Sequence, residues 1–214
     1  MPLLYLAFLS IILIVILQLG IFSIVLAKLG LSPDSAVLLL SCTLVGSLIN
    51  LRLFTIDSTF EQIPENYKIP RLLFKPTQSV PGKTIIALNV GGALIPISFS
   101  LYLITLHSIN FIHLITAIFF VAFISYSFSR PIKGLGIGIP VFIAPVSAAL
   151  SALMLNPEQS APLAYICGTL GVLIGADLFR LKDIKQMGVP TAAIGGAGTF
   201  DGIFFTGIIA VLLA

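Results

Sequence analysis

Gly171-Val-Leu-Ile-Gly175-Ala-Asp177 and, after a short basic loop, Gly195-Gly-Ala-Gly198-Thr-Phe-Asp201-Gly202 set two carboxylates into two consecutive apolar segments, each among glycines. The apolar residues around them come in long blocks rather than at amphipathic spacing, and blocks of that length read as membrane spans. An acidic side chain in hydrocarbon is costly, so both aspartates are site candidates by default.

The whole chain agrees with that reading. Of 214 residues, 58% are hydrophobic and 9% charged, against about 25% charged in a soluble domain. The net charge of +3 is small, and nothing in it suggests nucleic acid. Cys42 and Cys167 both stand in apolar blocks and read as small buried hydrophobes. They form no disulfide framework and no metal spacing. The glycine clusters lack the strand-then-helix context of a nucleotide fingerprint, so no cofactor is expected. The block Leu3–Ala27 lacks a basic n-region and a cleavage site, and reads as a retained first span.

Seven spans fit the blocks: residues 3–27, 35–53, 84–106, 111–128, 134–155, 161–179 and 189–214, with a Pro-punctuated loop at 54–83. Within that loop only Leu72–Phe74 suggests an interfacial piece. The fold class expected is all-α, a polytopic helix bundle forming a single integral membrane domain. Charge tests the count. Arg52, Lys68, Arg71, Lys75, Lys83, Arg130, Lys133, Arg180, Lys182 and Lys185 fall on one side of the seven spans and Lys28 alone on the other. That asymmetry places the N-terminus in the cytoplasm and the C-terminus outside.

Depth can be counted from the outer ends. Asp177 lies 15 residues past Pro162 and Asp201 13 residues before Ala214, so ~22 Å and ~20 Å down helices rising 1.5 Å per residue. In a ~30 Å core both stand near the cytoplasmic face at matching depth. Residues 189–200 are more than a helix needs for the remaining distance. With Gly195, Gly196 and Gly198 they predict a loose or broken start to the last span, lined by protein or water. Ala161, Ala164, Gly168, Gly171 and Gly175 form a small-residue stripe suited to close helix contact. Asp177 falls on the opposite face. Gly198 and Gly202 flank Asp201 as a second small-residue pair.

Two carboxylates close together in a poorly solvated place tend to share one proton. Such a pair can activate water with one member and protonate the leaving group with the other. His107 and His113 lie near the outer ends of their spans, far in depth from the aspartates, and need no catalytic role. Asn89 is a possible accessory polar group in the third span.

The closing block IGGAGTFDGIFFTGIIAVLLA, with GADL upstream, resembles a family of uncharacterised prokaryotic multi-pass membrane proteins, a domain of unknown function. The likeness covers most of the chain and is strongest from Ala164 onward. It implies a plasma-membrane location. More distantly, the layout is similar to the presenilin and signal-peptide-peptidase class of intramembrane aspartyl proteases. That class carries one catalytic aspartate on an inward-running helix and a second, in a GxGD motif, on the next. The resemblance implies Asp177 and Asp201 as the catalytic pair. It departs from the motif at Phe200, where the second glycine would stand, and at Ala176, where a tyrosine is usual.

Three functions follow from these residues. The first is an intramembrane aspartyl protease that uses Asp177 and Asp201 on a transmembrane peptide, with Gly175, Gly195, Gly196, Gly198 and Gly202 supplying flexible backbone to hold it. The second is a proton- or cation-coupled carrier with the same aspartates as its ion site. The third is a structural protein in which Asp201 caps a broken helix and Asp177 pairs with Arg180 or Lys182. In all three the lipid bilayer is the first partner. Nothing in the sequence sets an oligomeric state.

Overall fold

The computed structural model describes residues 20, 23–58, 82–132, 136–187, 189–196 and 202–214. Asp201, Gly198, most of the first expected span and the Leu72–Phe74 segment lie outside them. The chain is mostly helical: α1 (residues 23–28), α2 (Pro33–Gly46), α3 (Ile95–Leu106), α4 (Phe111–Phe128), α5 (Ile143–Leu155), α6 (Ser160–Val172) and α7 (Gly202–Leu213). A π-helical turn, Val90–Leu94, leads into α3, and another, Leu173–Leu178, continues α6.

Helices α2 and α4 start where a side chain supplies a missing acceptor. Ser32 Oγ takes the Ser35 N–H ahead of Pro33 in α2, and Asn110 Oδ1 takes the Ile112 N–H at the start of α4. Helix α6 is the axis of the bundle, with 11 of its 13 residues buried. Tyr165 meets Phe99 of α3 edge-on at 5.0 Å. Leu163, Ala164, Ile166 and Cys167 pack with Leu103, Val121, Ala148, Ile208 and Val211 in one apolar core.

The small-residue stripe performs the expected close packing. A Cβ on Gly171 would lie 2.6 Å from Val121 Cβ, and one on Gly175 would run into the Ala122 carbonyl. Helix α4 is therefore pressed against that face of α6. Gly168 instead faces Ala148, Thr206 and Ala210, towards α5 and α7. On the far side of the molecule the Lys28 ammonium lies 3.3 Å from the Val211 carbonyl in the last turn of α7, where a cation meets the negative end of the helix.

The all-α expectation is corrected by two small sheets. Strands β1 (Asn50–Asp57), β2 (Lys83–Asn89) and β5 (Thr191–Ile194) form one, in the order β1-β2-β5. Strand β1 runs antiparallel to β2 from Asn50↔Asn89 to Asp57↔Lys83, with an irregularity between Arg52 and Phe54. Strand β5 runs parallel to β2, with Ile85 opposite Thr191 and Leu88 opposite Ile194. Strands β3 (Arg130–Ile132) and β4 (Gly136–Gly138) make a hairpin between α4 and α5.

Four expected spans are shortened accordingly. The second stops at Gly46 rather than residue 53, and the third opens as a strand over residues 83–89. The fifth becomes helical at Ile143, and the seventh opens as a strand and becomes helical at Gly202. The reason is physical. A short apolar run is equally consistent with a buried strand and a helix turn, and its partner decides which it becomes. The fourth span matches its expected bounds of 111–128. The sixth reads Pro157–Leu178 once its short 3₁₀ entry and π-helical end are included.

At the end of α6 the Arg180 guanidinium staples the bundle. Its Nε donates to Ser129 Oγ, its NH1 to Asp183 Oδ2 at 2.9 Å, and its NH2 to the carbonyls of Tyr126 and Ser129. The cation also stacks 4.3 Å over the Tyr126 ring. A lysine offers one charged point where this site uses a planar fork. Arg180→Lys should therefore lower stability by about 1–3 kcal/mol, seen as an earlier thermal midpoint of the detergent-purified protein. An unchanged midpoint would remove the staple from the account.

Candidate functional site

Asp177 stands in the π-helical turn Leu173–Leu178, where the Phe179 N–H reaches back five residues to the Ile174 carbonyl. Such one-turn distortions are frequent at functional positions. Asp177 is half-buried. Its Oδ2 accepts the Gly195 N–H at 3.3 Å. Gly171 and Gly175 face α4 while Asp177 faces Gly195, just past the end of β5, as the helical period predicts.

Gly195 and Gly196 have φ of 80° and 84°, a left-handed backbone that L side chains avoid. They turn the chain off β5, and the Gly196 N–H donates to the Ala193 carbonyl. The expected seventh span thus opens on a strand and a turn, and residues 197–201, the rest of its expected loose start, lie outside the described residues. The turn rests on a second glycine pair. A Cβ on Gly92 would strike the Gly195 carbonyl, and one on Gly91 would strike the Thr43 carbonyl of α2. Backbone therefore packs directly on backbone where α2, the π-helical turn before α3, and the β5 turn meet.

Asn89 locks that junction. It is fully buried, its Nδ2 donates to the Ser47 carbonyl at 2.7 Å and to Asn50 Oδ1 at 3.0 Å, and its Oδ1 accepts the Gly92 N–H at 2.7 Å. These bonds give Asn89 a positioning role. Asn89→Ala should cost about 1–3 kcal/mol, because it leaves a buried carbonyl and a buried N–H unsatisfied. Chemical unfolding with tryptic accessibility as readout would measure it; a wild-type profile would contradict the role.

Beneath the junction lies a second apolar cluster. It includes Ile86, Ala93, Ala144, Val172, Leu173, Ala176, Ile194 and Ile203. Ala176 precedes Asp177 and Ile203 follows Asp201 by two residues, so the immediate sequence neighbours of both aspartates share one core. Asp201 and Gly198 lie outside the described residues, between Gly196 and the first residue of α7.

Sequence reasoning missed the edge strand β5 and the N–H that Gly195 offers to Asp177. Pro190-Thr-Ala-Ala-Ile194 is too short a run to read as a strand alone. The N-cap role of Asn89 had a faint signal in the Gly-Gly pair that follows it.

The architecture defines a helical bundle whose one end is finished by a small mixed sheet, with an acidic side chain at the sheet's edge. Within that class the chain belongs to a particular family: a family model described as "Protein of unknown function (DUF1614)" matches residues 44–213. No curated protein and no solved structure matches it.

Proposed function

We propose that this protein is a multi-pass membrane protein that hydrolyses transmembrane peptides near the basic side of the bilayer, with Asp177 and Asp201 as a catalytic pair. The observation that carries the reading is the place of Asp177. Its carboxylate sits on a π-helical distortion at the end of an edge strand, hydrogen-bonded to the backbone that leaves the strand.

Two helices support the membrane part of the reading. Phe111–Phe128 and Pro157–Leu178 are long and apolar enough to cross a bilayer. Large apolar side chains also stand well out from the bundle, including Phe111 at 71%, Phe123 at 66% and Met154 at 83% exposure. Such outward apolar surface is what hydrocarbon would cover. Helices α2, α5 and α7, of 14, 13 and 12 residues, reach only ~18–21 Å of a ~30 Å core. In the seven-span topology, N-terminus cytoplasmic and C-terminus outside, strands fill the rest of that depth. Non-helical chain at that depth must be buried in protein or line water, and in this reading the outer edge of β5 lines the water the site needs.

The same arrangement supplies the protease with what it needs. A peptide bond within a helix is shielded, so its substrate must be unwound and held extended. Among the described residues β5 ends the sheet order, so its outer edge can take a further strand. A peptide lying along β5 would run towards Asp177. One carboxylate then activates water while the other protonates the departing amide nitrogen, as in the chemistry of paired aspartates. No separate observation favours the carrier reading.

The direct test is reconstitution. Purified protein in lipid vesicles is given a single-span reporter peptide, and products are mapped by mass spectrometry. Cleavage a few residues inside the basic side is the expected result. Intact reporter together with aspartate-dependent ion flux would transfer the site to the carrier reading.

A further inference from the structure

A groove of about 700 Å³ runs between α4 and α5, on the surface of the bundle and apart from Asp177. Thr116, Phe120, Ile124 and Phe128 form one wall at four-residue spacing, and Val146 and Leu150 belong to the other. The wall from Thr116 to Phe128 is ~18 Å long at 1.5 Å rise per residue. One leaflet of a ~30 Å hydrocarbon core is ~15 Å deep. The groove therefore has the length of a lipid tail.

Its chemistry favours a fully apolar occupant over an extended peptide. The hydroxyls in α5 are turned to their own helix: Ser147 donates to the Ala144 carbonyl and Ser151 to the Ala148 carbonyl. An extended peptide here would bring N–H and C=O groups into an apolar channel with nothing to pair them. A hydrocarbon chain makes no such polar demand.

The charge at one end selects the head. Phe128 and Phe142 mark that end of the groove. Immediately beyond them the β3–β4 hairpin joins the two helices, with Arg130 opposite Gly138. Arg130 is exposed. Its guanidinium suits a phosphate bidentately at the level where headgroups would lie.

We propose that the α4–α5 groove is a binding site for one anionic phospholipid, with an acyl chain between the helices and its phosphate at Arg130. The site rests on the membrane reading above and is independent of the protease reading. It gives the chain a defined lipid contact beside the basic end of the bundle.

The test uses the full-length protein reconstituted in vesicles of phosphatidylethanolamine and phosphatidylglycerol, then purified in mild detergent. Native mass spectrometry should show one phosphatidylglycerol retained by the wild type. Ser147→Trp, which fills the groove, should abolish that retention. Arg130→Ala should keep lipid bound but reduce the preference for phosphatidylglycerol about fivefold, the worth of one basic side chain facing anionic lipid. Leu38→Trp, on the exposed face of α2, is the control and should change nothing.

A photo-crosslinking residue at Val146 gives a second readout that survives poor folding of the tryptophan variant. A lipid adduct there supports the site. A polypeptide adduct, no adduct, or lipid retention indifferent to both groove variants overturns it. Wild-type protein that stays in the membrane pellet at alkaline pH while failing these tests sinks the lipid site alone. Protein released from that pellet sinks the membrane reading itself.

Discussion

Asp177→Asn should abolish cleavage of the membrane reporter while the protein still folds, and Asp201→Asn should do the same. Positioned acid–base groups contribute about 10²–10⁴-fold to rate, so either loss takes turnover below detection in an ordinary gel assay. Asparagine preserves the size of the side chain and can still accept the Gly195 N–H that Asp177 accepts at 3.3 Å. The variant keeps the size of the side chain and removes its negative charge together with its capacity to exchange a proton. Cleavage should depend on pH through the pair rather than through one group, because a proton shared by two carboxylates titrates as a property of both. Persistent cleavage in either variant removes the aspartates from the chemistry. Loss of folding in both, with no activity in the wild type, returns them to a structural role.

The second large effect is expected at Gly92. An alanine there puts a methyl group onto the Gly195 carbonyl, where two backbones touch and neither can yield by a rotamer change. Overpacking of this kind costs about 3 kcal/mol, which for a chain of this size lowers the melting midpoint by roughly 6–12 °C. The damage also reaches the site. Gly195 is the residue that donates to Asp177, so pushing its carbonyl away moves the end of β5 relative to the carboxylate. Folded Gly92→Ala protein should therefore cleave the reporter more slowly than its stability alone explains. Gly20 is the comparison: an added methyl meets nothing within 4 Å, and Gly20→Ala should leave both melting and activity unchanged. Equal behaviour of the two variants would contradict the backbone contact.

These expectations also show which parts of the molecule could be read from residue order. The stripe Gly168, Gly171, Gly175 was legible because small residues at helical spacing have one common use, close approach of a neighbour. The structure supplies those neighbours as α4, α5 and α7. The opposite facing of Asp177 followed from the same 3.6-residue period. The helix of residues 111–128 was legible because an unbroken apolar run of 18 residues is too long for an ordinary strand and reads as a helix.

The strands were not legible for a matching reason. Lys83-Thr-Ile-Ile-Ala-Leu-Asn89 and Thr191-Ala-Ala-Ile194 lie about a hundred residues apart and pair only because α3 to α6 fold between them. Neither run has an alternating pattern, since β2 is buried along most of its length. Hydropathy sees apolar residues and cannot see a partner.

Composition and spacing by themselves determined an apolar, mostly helical chain with two acidic residues set among glycines near its end, because burial cost and helical period are local properties of the residues. Tertiary structure alone decided that four expected spans change to strand on one side, and that Asp177 meets the backbone leaving β5. Those outcomes depend on hydrogen-bond partners distant in the chain, which only the folded backbone brings within reach.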